Sequence, residues 1–330
     1  MNLPRRLAAL GTAAALLTVL AACSSTSGGG SSDASTAGTD GSFPTTVQTE
    51  FGAVTVTSSP KRVVALGWGD AETALALGVQ PVGASDWLAF GGTGVGSWAA
   101  KKYSKAPTLI GTLSPSYEKI AALKPDLILD TKSSGDATRQ QRLAQIATTV
   151  DVPKGATGYA TTLDQQVTTI AAALGKQAEG KKLLAGVDSA FTTTAAAHPA
   201  FKGKTVTVAS YTSAGWGAYT TTDARVKFMQ RLGLTQNPKV AELGTSSFSV
   251  NISSEQLQLL DADVLIILPI GETASAVKAS ALYDTIPAVK DGHSVILGDT
   301  ASLAFSDNTT LSTQYALDTV TPLVAKALGK

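Results

Sequence analysis

The side chains able to do chemistry in this sequence favour binding over catalysis. The two histidines, His198 and His293, stand apart from each other, and Cys23 is the only cysteine. No intramolecular disulfide can form. Neither histidine lies in a metal or nucleophile motif, and no dense His/Asp/Glu set suits bare zinc or manganese. No carboxylate pair suited to glycoside hydrolysis stands out. What the chain does offer is aromatic side chains in glycine-containing stretches without periodicity. Trp68 lies in Gly67-Trp68-Gly69-Asp70, and Trp87, Phe90, Trp98 and Tyr103 lie in Ser85–Pro107. Trp216 and Tyr219 lie in Ser210–Tyr219. Each stretch follows an expected strand, and open α/β sheets hold ligands outside the ends of their strands. Such rings would also suit sugar stacking, so a glycan-binding or adhesive protein is the rival class. Gly67 and Gly69 lack the third glycine and the acidic residue of a dinucleotide fingerprint.

The elements that must position these rings alternate between strand and helix. Val63–Leu66, Val79–Ala84, Leu109–Gly111 and Pro125–Leu129 read as buried strands of a parallel sheet. Asp70 is a candidate N-cap for a helix through Leu77, and Ser116 caps another through Leu123. Thr138–Thr148 and Leu163–Leu174 supply further helices. Lys176–His198 has apolar residues Leu183, Leu184, Val187 and Phe191 at helical spacing. Beyond it, Lys204–Ala209, Val264–Leu268 and Ser294–Leu297 are strands, and Leu311–Leu328 is a closing helix. The pattern predicts an α/β protein of two Rossmann-like lobes, residues 43–175 and 199–330, joined by one long helix over residues 176–198.

Charge implies neither a nucleic-acid surface nor an acidic tail. Lys and Arg total 26 against 25 for Asp and Glu. The N-terminus carries a processing signal. Arg5 and Arg6 precede the apolar run Leu7–Leu20, which is too short to span a membrane. Leu20-Ala21-Ala22-Cys23 resembles a bacterial lipobox, which implies a signal peptide over residues 1–22 and a lipid on the Cys23 thiol. Residues 23–42 are rich in Ser, Gly and Thr and predict a flexible tether. Together they place a soluble body on the outer face of the cell membrane.

One phrase occurs twice at a constant offset of 137 residues. Ser116-Tyr117-Glu118 through Asp126-Leu127-Ile128 aligns with Ser253-Ser254-Glu255 through Asp263-Val264-Leu265. Each copy has a serine cap, a glutamate in the first helical turn and an Asp before a strand. Complementarity with the helix N-terminus accounts for either glutamate alone. A glutamate on each lobe also fits one partner touching both.

With these motifs the chain resembles the substrate-binding lipoproteins of bacterial ABC importers for ferric siderophores, haem and cobalamin. The matching features are the lipobox, Pro60-Lys61-Arg62-Val63-Val64, Leu77-Gly78-Val79 with Pro81-Val82-Gly83, and the repeated phrase. Phe228–Leu234 and Ile286–Gly292 fit as well. The resemblance implies a ligand held between the lobes and no cofactor beyond the lipid. It implies a monomer that delivers its cargo to a permease, docking through Glu118 and Glu255. Among those ligands a ferric siderophore is expected, with haem and cobalamin as alternatives. The chelator would coordinate the iron, so the protein needs walls and countercharge. Trp68, Trp87, Trp98, Trp216, Tyr219 and Phe305 are the candidate walls. Arg225 is the candidate countercharge, because guanidinium pairs well with oxygen-rich anions.

Overall fold

The computed structural model describes residues 41–244 and 247–329. The expected leader, Cys23 and nearly all of the tether lie outside the described residues. The first strands, β1 (Thr45–Thr49) and β2 (Gly52–Val56), form an antiparallel hairpin whose Val47 and Val56 enter the N-terminal core. Then β3 (Val63–Ala65), β4 (Gly83–Ser85), β5 (Thr108–Ile110), β6 (Leu127–Leu129) and β7 (Thr148–Val150) make one sheet. Its order is β5-β4-β3-β6-β7 and every pair is parallel. Helices cover both faces, so the short strands read as continuous apolar runs such as Leu127-Ile128-Leu129. Strand order reverses between β3 and β6, which makes the ends of those two strands the natural crevice.

The second sheet contains β8 (Thr205–Thr212), β9 (Gly215–Tyr219), β10 (Thr235–Gln236), β11 (Ser249–Ile252), β12 (Val264–Pro269) and β13 (Ser294–Ile296). It runs β11-β9-β8-β12-β13, with β10 also paired to β8. Here the sequence reading needs correction. Ser210–Tyr219 is not a loop: β8 continues to Thr212, and β9 returns antiparallel beside it. The two glycines that suggested a loop serve the hairpin. Gly215 has φ +105°, a conformation that side chains disfavour. A Cβ on Gly217 would stand 2.8 Å from Ser210 Oγ. The second lobe is therefore a mixed sheet.

The helix Gln177–Ala197 packs on both cores. Its early Leu183 lies against the N-terminal core, while Val187 and Phe191 belong to the C-terminal one. Gly180 is required by close packing, since a Cβ there would stand 2.5 Å from Ala171 Cβ. Arg231 covers the Phe191 ring at 3.8 Å and pairs with Asp188 at 2.6 Å. The closing helix, Thr310–Ala327, makes a second bridge. Its Leu311 and Tyr315 reach the N-terminal lobe, where Tyr315 lies 5.3 Å from Trp98.

Candidate functional site

The crevice begins at the end of β3. Leu66 N–H donates to Leu129 O and Trp68 N–H to Lys132 O, so the two loops at the switch point run together. Gly67 allows that approach, because a Cβ would stand 2.3 Å from Asp70 Oδ2 and 2.7 Å from Lys132 N. Gly69, at φ 77°, occupies the cap position of the helix Asp70–Ala76. Asp70 is thus the first helical residue and not the N-cap. Its carboxylate accepts from Thr131 N (2.8 Å), Thr131 Oγ1 (2.5 Å) and Gln166 Nε2 (2.6 Å). Burial raises its pKa to about 6 despite these bonds.

This loop presents Trp68 as the middle of three stacked rings. Trp87 lies 4.4 Å away at an interplanar angle of 11°, and Tyr159 lies 4.2 Å away at 27°. All three are half-buried. Each stacked pair adds roughly 0.5–1.5 kcal/mol beyond its buried area, enough to hold the rings as a preformed wall. Gln166 Nε2 also donates to Trp68 O at 2.7 Å. Trp68 Nε1 is buried without a hydrogen-bond partner, an unused donor beside the crevice.

In the same lobe, a cavity of about 360 Å³ opens at the N-termini of two helices, Tyr117–Ala122 and Ala137–Ala144. Leu113, Ser114, Tyr117, Ser134, Arg139 and Arg142 are among its lining. Its size falls within the roughly 300–1,000 Å³ range of small-molecule sites. Arg139 is fixed by Asp130 through two 2.7 Å bonds and donates to Thr112 O at 3.0 Å. Arg142 lies over the Tyr117 ring at 5.4 Å. Sequence reasoning missed these two arginines and Tyr159. Arg139 and Arg142 stand three apart on a helix, but only the fold shows which side of it faces the cavity.

The C-terminal lobe contributes differently. Trp216 is 5% exposed and sits in its core, 5.0 Å from Tyr211 and 6.2 Å from Tyr283. Phe305 is 2% exposed and packs edge-on against Phe228 at 5.2 Å. These two expected walls are core residues, because strand alternation and a helix face turn them inward. Tyr219 is also buried, yet its ring carries Arg225, whose guanidinium lies 3.6 Å from the centroid. Arg225 is held in a bidentate pair by Asp223, with two bonds of 2.8 Å, and donates to Ser306 Oγ at 3.3 Å. Lys132, from the N-terminal lobe, is buried near Asp307, Asp70, Arg225 and Asp223. Burial lowers its pKa, and Asp307 and Asp70 oppose the shift. Lys132 of the first lobe and Arg225 of the second thus lie within electrostatic range of each other.

Where the lobes touch, Glu72 and Asp307 come together with Trp98 and Trp87. Trp98 Nε1 donates to Glu72 Oε2 at 2.8 Å, and Trp87 Nε1 to Asp307 Oδ1 at 3.2 Å. Trp98 is therefore a tied-down strut between Phe90 and Tyr315. Among the described residues no three His, Cys, Asp or Glu side chains converge as a metal site.

Glu118 and Glu255 both lie exposed on the surface. Ser116 caps its helix by accepting from Lys119 N at 3.3 Å, and its hydroxyl donates to Glu118 Oε2 at 3.2 Å. The second copy is looser. Ser254–Leu260 is a 3-10 helix, and Ser253 makes no side-chain cap. Glu255 is held below the usual carboxylate range by its own backbone N–H and by Ser253.

Residues 63–301 match the periplasmic binding protein family. The chain belongs to that family. As a periplasmic binding protein it is 31% identical to YhfQ of Bacillus subtilis, a putative ABC transporter substrate-binding lipoprotein, over 74% of this chain and 78% of that one. It is 29% identical to YfmC of the same organism, an Fe(3+)-citrate-binding protein, over 74% of this chain and 76% of that one. A solved periplasmic solute-binding protein from Mycobacterium smegmatis superposes with a TM-score of 0.76 at 29% identity, covering 86% of this chain and 99% of that one. PiaA of Streptococcus pneumoniae, solved with ferrichrome, gives 0.72 at 27%, covering 86% and 98%.

Proposed function

We propose that the protein captures a ferric siderophore in the crevice between its lobes and delivers it to the permease of an ABC importer. The observation that carries this reading is the Trp87–Trp68–Tyr159 wall, whose middle ring stands in the loop at the switch point of the sheet, in the same lobe as an arginine-lined cavity. Stacked rings offer flat apolar contact to a chelator's organic frame. Arg142 and Arg225 offer charge to its anionic oxygens, and Trp68 Nε1 offers one buried donor. The named cargo of the relatives, ferric citrate and ferrichrome, supports an iron-chelate. The residues act as walls and countercharge, not as catalysts or metal ligands. In this reading Cys23 carries the lipid that keeps the protein on the outer face of the cell membrane. Glu118 and Glu255, one on each lobe, dock on the permease.

Tryptophan fluorescence titrated with ferric citrate, a ferric hydroxamate, a ferric catecholate, haem and cobalamin tests the ligand class. Saturable quenching by at least one ferric chelate is expected. Quenching by haem or cobalamin alone would overturn the siderophore assignment.

A further inference from the structure

The Glu72–Asp307 contact does more than fill the seam between the lobes. Glu72 stands on the helix Asp70–Ala76 of the first lobe, and Asp307 ends the helix Asp299–Asp307 of the second. Both side chains are buried, at 2% and 1% exposure. Thr309 Oγ1 lies 2.7 Å from Glu72 Oε2 and 3.2 Å from Asp307 Oδ2. It also accepts from Ser312 N at 3.1 Å. A hydroxyl has one hydrogen, so it can donate to only one of the two carboxyl groups. A proton on the pair would relieve both the other contact and the approach of the two acids themselves.

We propose that Glu72 and Asp307, sharing one proton, form an inter-lobe latch that positions Trp87 in the chelate-binding wall. The proposal rests on the ligand reading given above. Asp307 accepts from Trp87 Nε1 and is the link between that ring and the second lobe. The groups facing the latch are known from every side. Glu72 meets Gly96 N (3.1 Å), Trp98 Nε1 and Thr309 Oγ1, with the Tyr103 phenol nearby. Asp307 meets Trp87 and Thr309, and the buried Lys132 side chain lies within electrostatic range of Asp307, Asp70, Asp223 and Arg225. The field of Lys132 favours charge on Asp307 and leaves the proton to Glu72. Burial raises the pKa of both acids above the ordinary range. Loss of the proton sets two carboxylates against one hydroxyl across the seam, and their repulsion separates the surfaces that hold Trp87.

The test follows tryptophan emission of the ligand-free protein from pH 5 to 9, together with the affinity for ferric citrate and a ferric hydroxamate. Asp307→Asn keeps an acceptor for Trp87 and turns a permanent N–H donor toward Glu72. Part of the wild-type pH profile should therefore be missing from Asp307→Asn, while steps from Asp70 and Asp151 remain. Asp307→Ala should weaken chelate binding at pH 7 at least tenfold, and Asp307→Asn should recover most of that loss. Melting curves of both variants report folding. Superimposable pH profiles for wild type and Asp307→Asn would overturn the latch, as would wild-type affinity in a folded Asp307→Ala protein. If neither chelate binds the wild type, the ligand reading fails, and the emission profiles still decide the latch.

Discussion

The two lobes place their aromatic residues by different rules. In the first, Trp68 and Trp87 follow parallel strands and enter loops at the sheet's C-terminal edge. They stay half-buried and stack in the crevice. In the second, Trp216 and Tyr219 lie on a strand that turns straight back into the sheet. A returning strand alternates its side chains between the faces, so both rings enter cores. An aromatic residue after a strand therefore stays half-buried where the chain leaves the sheet, and joins a core where it re-enters. The lobes differ in buried charge as well. The first holds Asp70, Asp130 and Asp151 at the ends of β3, β6 and β7, and only Asp130 is paired with an arginine.

The largest expected effect lies in the second lobe. Trp216→Ala should destabilise the fold by roughly 3–5 kcal/mol, the usual cost of emptying a large core site. Chemical denaturation checks this. A loss below about 1 kcal/mol would return Trp216 to the crevice.

Next come the two exposed glutamates, one on each lobe. The double change Glu118→Ala with Glu255→Ala should abolish chelate uptake by cells while preserving affinity and melting temperature, because neither side chain is buried. Normal uptake would leave both glutamates as helix-end charges.

Buried charge in the first lobe gives a smaller, pH-dependent effect. Burial, reinforced by Asp130, raises the pKa of Asp151 from 3.8 to about 7. The folded state thus binds the proton more tightly than the unfolded chain, and stability falls as pH rises from about 4 to 7. Asp151→Asn removes that penalty. It should stabilise the protein at pH 8 by on the order of 1–3 kcal/mol and give no gain at pH 4. An equal change at both values would contradict the titration argument.

Sequence reading reached the local features and stopped at the long-range ones. The apolar runs at Val63–Leu66 and Pro125–Leu129 place β3 and β6, since a buried parallel strand has no polar face. The repeated phrase marks a real equivalence. Asp126 accepts from the Lys61 and Arg62 amides, and Asp263 from the Thr205 amide and the Lys204 ammonium, so each acid secures the start of a neighbouring strand. Asp70 reads as a cap in the sequence because its partners, Thr131 and Gln166, lie far along the chain. Glu72 resembles any acid in a first helical turn until Thr309 arrives from the other lobe. Trp216 misled for the opposite reason, since two flanking glycines suggest a loop where they serve a hairpin.

The central claim is that the wall built by the first lobe holds the chelate. Equilibrium dialysis of a ferric siderophore against wild type and Trp68→Ala, read by the chelate's own absorbance, tests it most directly. Removing the middle ring of the stack should weaken binding by at least about tenfold, roughly 1.4 kcal/mol, with the unfolding transition still cooperative. Equal affinity in the two proteins would contradict the claim and place the ligand elsewhere.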